Sequence, residues 1–190
     1  MKQAPLTVRR WKRVEYNRLV ELGAFEREPI ELLGGHLIVA EPQGPYHASS
    51  IDRVAHAVRG VLPPGWIVRA QAPIALDDES EPEPDIAVVA GRPGDYADAH
   101  PARPALVVEV AESSLLFDRR RKGSLYARAG LPEYWIVNLV DRVLEVYREP
   151  GPEATAPYRW GYRSVRRLTA PATIDIAAIG VTLAVADLLP

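Results

Sequence analysis

With 190 residues, 47% of them apolar and 25% charged, the chain is long enough to bury its own core and too apolar for an extended disordered protein. A net charge of −2 excludes a uniformly basic nucleic-acid-coating protein, and the absence of cysteine excludes disulfides, thiolate metal sites and thiol catalysis. The four histidines (His36, His47, His56, His100) show no HxxxH or HExxH spacing, so a histidine-built zinc site is not expected.

In chain order, Thr7 is placed to cap a helix ending near Leu22, with Trp11, Val14, Leu19 and Leu22 in helical phase and Gly23 as the stop. Ile30 to Leu33, Gly34-Gly35 and His36 to Ala40 read as a hairpin with a two-glycine turn, and Pro42 to Pro45 breaks that pattern. Ile51, Val54, Ala55, Val58 and Leu62 give a helix from Tyr46 to Leu62, ended by Pro63-Pro64-Gly65. A strand over Trp66 to Ala70 leads into Pro73 to Leu76, followed by an acidic loop from Asp77 to Glu83. Two apolar strands come next, Asp85 to Val89 and Ala105 to Val110, joined by a Gly/Pro loop. Asp118 is positioned to cap a helix through Arg128, which Gly130 and Pro132 close. Tyr134 to Val140 and Val143 to Tyr147 are strands about a tight Asp141-Arg142 turn; a loop over 150–157, strands near 158–168 and an apolar segment at 181–189 complete the chain.

This order predicts one α/β domain over residues 1–190, a mixed sheet with flanking helices, with disorder confined to residues 1–6. The first residues contain no apolar signal region, and no stretch approaches the roughly 18 apolar residues of a membrane span. A cytoplasmic protein without membrane contact is the expectation.

Three residues point to chemistry. Asp85 and Glu109 each lie at or within an apolar strand, where a charge is costly unless it is paired, hydrogen-bonded or holding a metal. If the two strands are neighbours, both carboxylates reach one Mg²⁺ or Mn²⁺, which favours a few hard oxygens with water and phosphate filling the shell. The third residue is Lys122, one of only three lysines against twenty arginines, which suggests a need for a compact ammonium. Ala111, next on the Glu109 face, supplies nothing polar, and Lys122 shares a helix face with Tyr126. The bland alternatives are a turn aspartate, a paired structural glutamate and a solvated lysine. Glu31 in the first hairpin strand is a further acid among apolar neighbours, although alternation alone also allows it a solvent face. Gln71 could orient water or phosphate. His47 could touch nucleic acid or cap its helix, and Arg119 and Arg121 stand in one of three basic clusters suited to phosphate contact. The nucleotide-binding and acyl-transfer patterns GxxxxGK[ST], GxGxxG and GxSxG are missing.

The segments Ile30 to Gly35, Glu81 to Val89, Leu106 to Ala111, Lys122 with Tyr126 to Gly130, and Pro132 to Val137, in this order, resemble the Uma-two restriction endonuclease family. The resemblance implies a restriction-endonuclease-like core of the PD-(D/E)XK type. Asp85 stands as the motif aspartate, Glu109 as the motif glutamate and Lys122 as a lysine migrated to the following helix, with Glu31 at an acidic hairpin position. Asn138 departs from the family's usual aspartate after Tyr-Trp-x-Val, outside the proposed metal site. The expected protein is thus a Mg²⁺- or Mn²⁺-dependent endonuclease acting on nucleic acid, DNA by preference, as a homodimer. The alternatives are a nuclease-fold binding or assembly module with little activity, and a metal-dependent phosphoesterase.

Overall fold

The computed structural model describes residues 7–26, 28–39 and 43–190. The chain begins with helix α1 (Arg13–Glu21), the hairpin β1 (Ile30–Leu33) and β2 (His36–Val39), and the long helix α2 (Pro45–Val61). Strands β3 (Trp66–Ala70), β4 (Ile86–Ala90) and β5 (Leu106–Ala111) follow. A compound helix comes next, built from α3 (Leu115–Phe117), a π-helical turn (Asp118–Lys122) and α4 (Gly123–Arg128). The remainder is β6 (Glu133–Asn138), β7 (Val143–Pro152), β8 (Trp160–Leu168), β9 (Thr173–Ile176), β10 (Val181–Ala184) and α5 (Val185–Leu188).

Six strands make one mixed sheet in the order β3-β4-β5-β6-β7-β8, and β1-β2 and β9-β10 form separate hairpins. Only β5 and β6 pair in parallel. Parallel neighbours need a crossover connection, and the compound helix is that crossover. The sheet is covered on both faces, which is why β5 reads as an almost unbroken apolar run and is buried along its whole length. Leu106, Val108 and Val110 pack against Ile51, Val54 and Val58 of α2 and against Ile174 and Leu183 of the last hairpin. Val107 and Ala111 face the other way, toward Tyr126, Tyr134 and Tyr147. Each such side chain fully buried contributes about 1.5–3 kcal/mol.

The hairpin turn shows why its glycines are needed. Gly34 and Gly35 have φ of +58° and +79°, and a Cβ on Gly34 would lie 2.3 Å from the Tyr158 ring. The Tyr158 hydroxyl donates to the Leu33 carbonyl at 3.2 Å, fastening β1, and with it Glu31, to the rest of the molecule.

Several elements differ from the sequence expectation. Residues 7–12 do not form the first turns of a helix capped by Thr7. They run to the hairpin, where Trp11 N–H donates to the Gly35 carbonyl at 2.9 Å, and α1 starts only after Lys12, whose N–H is held by Glu15 at 3.0 Å. Pro73 to Leu76, into which β3 leads, is a loop segment whose backbone bonds go to Pro82, Pro101 and Ser80. The turn between β6 and β7 spans residues 139–142, because Asn138 accepts from Asp141 N–H and donates to Glu145, ending β6 early. β9 was not expected, and the C-terminal apolar segment is a short strand plus a helical turn. Ala40 and Pro42, at the ends of the expected hairpin and break, lie outside the described residues. Among the described residues, no helix is long and apolar enough to cross a membrane.

Candidate active site

The start of β4, the end of β5, the β1-β2 hairpin, the N-terminus of α2 and the π turn surround a cleft of about 380 Å³. Glu31, His47, Asp85, Glu109, Asp118 and Lys122 are among its lining residues. β4 and β5 are adjacent and antiparallel with Ile86 opposite Val108, so one further step in register sets Asp85 opposite Glu109 on the same face. Asp85 Oδ2 accepts the Val110 N–H at 2.7 Å and Oδ1 accepts Gln43 Nε2 at 3.3 Å.

Glu109 is 3% exposed, and its two oxygens have different company. Oε1 accepts Lys122 Nζ at 3.0 Å and the Tyr126 hydroxyl at 2.7 Å, while Oε2 turns toward the Asp85 N–H at 3.4 Å. Lys122 Nζ also lies 3.6 Å from Glu31 Oε1, and Glu31 Oε2 accepts the Glu83 N–H at 3.2 Å. Lys122 comes off the C-terminal end of the π turn, a wide helical geometry often found at functional sites. Asp118, at the start of that turn, is buried against the same cleft and accepts the Ser114 hydroxyl at 2.6 Å.

The electrostatics follow from four buried carboxylates around one ammonium. Burial, then the charge of Glu109, pushes Asp85 up to about 7 despite the opposing Val110 N–H and Lys122. Asp118 is likewise pushed up to about 7 by burial and by Glu109. Burial also raises Glu31, with Lys122 opposing. For Lys122, burial works against the charged form, but Glu109, Glu31 and Asp118 outweigh it and keep the ammonium protonated. Tyr126 is raised by burial and by Glu109, so it stays a neutral donor.

The structure thus brings Asp85, Glu109, Lys122, Glu31 and Tyr126 together. Gln71 does not line the cleft: its exposed side chain donates to Gln43 Oε1 at 3.0 Å and so meets the Asp85 carboxylate through Gln43, while its backbone N–H donates to the Asp85 carbonyl at 3.0 Å. His47 lies inside the cleft, its Nε2 in contact with the Val110 carbonyl and 3.8 Å from Asp85 Oδ2. Arg119 forks onto Glu145 on the other side of the helix. Arg121 is exposed and makes no ion pair among the described residues. Asp118 was expected to be a helix cap. It is instead a cleft carboxylate, because the helix begins earlier, at Leu115. Its spacing of four from Lys122 was the available signal. Gln43 offered none.

A central mixed sheet with a crossover helix bordering an acid-lined cleft defines an α/β protein of the restriction-endonuclease-like class. The chain belongs to the Uma2 family, described as "Putative restriction endonuclease", which it matches over residues 13–186. The crystal structure of "a putative nuclease belonging to DUF820" from Anabaena variabilis ATCC 29413 is similar, with a TM-score of 0.60 at 16% identity over 84% of this chain and 88% of that one. At that identity the likeness is one of fold. No curated protein matches the chain.

Proposed function

We propose that this protein is a metal-dependent endonuclease that hydrolyses phosphodiester bonds, with DNA as the substrate. The observation that carries the reading is the cleft in which, among the described residues, Lys122 is the single ammonium beside Glu31, Asp85, Glu109 and Asp118. Two of these acids are pushed up to about 7, first by burial and then by the charge of Glu109 beside them. Hard carboxylate oxygens in excess of positive charge suit Mg²⁺ or Mn²⁺. Asp85 and Glu109 would hold the ion, Glu109 through Oε2, the oxygen left clear by Lys122 and Tyr126. Among the described residues no group of three or more His, Asp or Glu side chains is placed to hold a metal ion, so an ion held by Asp85 and Glu109 would take the rest of its shell from water and phosphate oxygens. When bound, such an ion polarises the phosphate and lowers the pKa of water.

The protein's own groups have separate tasks. Lys122, kept protonated by its acidic neighbours, stabilises negative charge growing on the phosphate oxygens rather than removing a proton. Tyr126 fixes Glu109, and Glu31 fixes the ammonium from the opposite side. Water bonds to phosphorus as one ester bond breaks, leaving a phosphate end and a hydroxyl end. Cleavage of plasmid and single-stranded DNA with Mg²⁺ or Mn²⁺ tests the reading. Glu109→Gln and Lys122→Ala are each expected to lower the rate about a hundredfold or more; unchanged rates would overturn the mechanism.

A further inference from the structure

The cleft leaves one problem of charge unsolved. Its lining is dominated by acids, so protein cations inside it cannot hold the phosphates that flank the scissile one. The grip on a nucleic-acid strand has to come from outside. On the far side of the compound helix is a second hollow of about 560 Å³. Asp118 and Lys122 line the cleft, whereas Arg119, Arg120, Gly123 and Ser124 of the same helix line this hollow. Only the width of one helix, about 10 Å, separates the two.

The hollow has aromatic walls and a basic rim. Trp160, Tyr147 and Tyr162 line it together with Arg119, Arg120 and Glu153. The Tyr162 hydroxyl is tied to the Leu131 carbonyl at 3.0 Å and the Tyr147 hydroxyl to Glu145 at 2.7 Å, so the rings are fixed. Ser124 fastens the Trp160 strand to α4, donating to the Trp160 carbonyl at 2.6 Å and accepting the Tyr158 N–H at 3.0 Å. Arg119 is neutralised by Glu145, but Arg120 and Arg121 are exposed and make no ion pair among the described residues. The adjoining edge strand β8 adds Arg163, Arg166 and Arg167 and no acid, with Arg167 paired to Asp141. Such an edge repels a second copy of itself and attracts a polyanion.

Resting on the nuclease reading, we propose that this hollow takes an unpaired base of the strand whose scissile phosphate lies at Glu109. The base stacks on Trp160, and its phosphate meets Arg120. Aromatic stacking beside guanidinium groups is how unpaired bases are held without sequence readout. A base stacked within a duplex cannot reach Trp160 in this way, so the site selects single-stranded or locally opened nucleic acid.

Fluorescence anisotropy with a labelled single-stranded oligonucleotide, and with the same sequence as a duplex, tests this in a Glu109→Gln protein that leaves the strand intact. Adding Trp160→Ala is expected to weaken single-strand binding about tenfold and duplex binding far less, with Trp160→Phe retaining most of the affinity. Arg120→Glu is expected to weaken both and to flatten the salt dependence. The proposal is overturned if the Trp160→Ala protein binds single strands as tightly as its parent. Equal losses on single strand and duplex, or a parent that binds no single strand at all, overturn it as well. Plasmid cleavage by the unmodified protein separates the two ideas. Cleavage with Trp160-independent binding removes the hollow and keeps the nuclease, whereas Trp160-dependent binding without cleavage removes the nuclease and keeps the hollow.

Discussion

At Glu109 two donors meet one oxygen, and the other oxygen is left facing Asp85. A buried carboxylate needs such donors to remain ionised, and here they also fix which oxygen is presented to the cleft. Tyr126→Phe removes one of them without changing the shape of the core. The expected result is about a tenfold lower cleavage rate, from the looser glutamate, and about 1 kcal/mol less stability, from the lost hydrogen bond. Steady-state kinetics and urea denaturation measure the two separately. An unchanged rate would show that Lys122 alone positions Glu109. The choice of lysine fits the same geometry, because Lys122 is 7% exposed and its ammonium sits between Glu109 and Glu31, a space suited to a compact charge.

Among the elements, β7 and the π turn are joined by Glu145, which accepts from Arg119, Asn138 and Tyr147. Burial works to raise the Glu145 pKa, but these donors outweigh it and hold the carboxyl down at about 2, below its ordinary 4.5. A depressed folded-state pKa gives stability that is fully present above the unfolded value and is lost as pH falls toward the folded one. Glu145→Gln should therefore be less stable than the parent at neutral pH, by about 2 kcal/mol after allowance for solvent around Arg119. The gap is expected to narrow steadily between pH 4.5 and pH 2. Denaturant midpoints taken across that range check it, and a constant gap would mean that Glu145 is not the linking group.

For the whole molecule, the proposed metal-dependent reading makes the fold's stability depend on a divalent cation. Mg²⁺ at a hundredfold its dissociation constant should stabilise the fold by about 2.7 kcal/mol, raising the melting temperature by roughly 5–10 °C. The Asp85→Asn/Glu109→Gln double variant should show no such rise in a thermal melt. How much of this architecture could be read from the chain depended on how far each residue's fate is local. Acids inside apolar strands, as at Asp85 and Glu109, were legible because their cost is written into their immediate neighbours. The α2 helix was legible from the spacing of Ile51, Val54 and Val58. Residues 7–12 were misread because their hydrogen-bond partner is the distant Gly35, and Asp118 because an acid ahead of a helical run has the same local signature as a cap. Nothing in the run Asp118-Arg-Arg-Arg-Lys122 announces a π turn.

That turn carries a consequence for how the gene can change. A π turn is an α-helix with one residue inserted, so loss of a single codon, at Arg120 for example, would return the segment to ordinary helix. The five residues of the π turn cover about the rotation of four α-helical ones, so α3 and α4 would keep their phase on the sheet and Tyr126 its place beside Glu109. The bulge therefore gives the gene a position where one codon can be lost or gained with the change confined to the segment from Asp118 to Lys122.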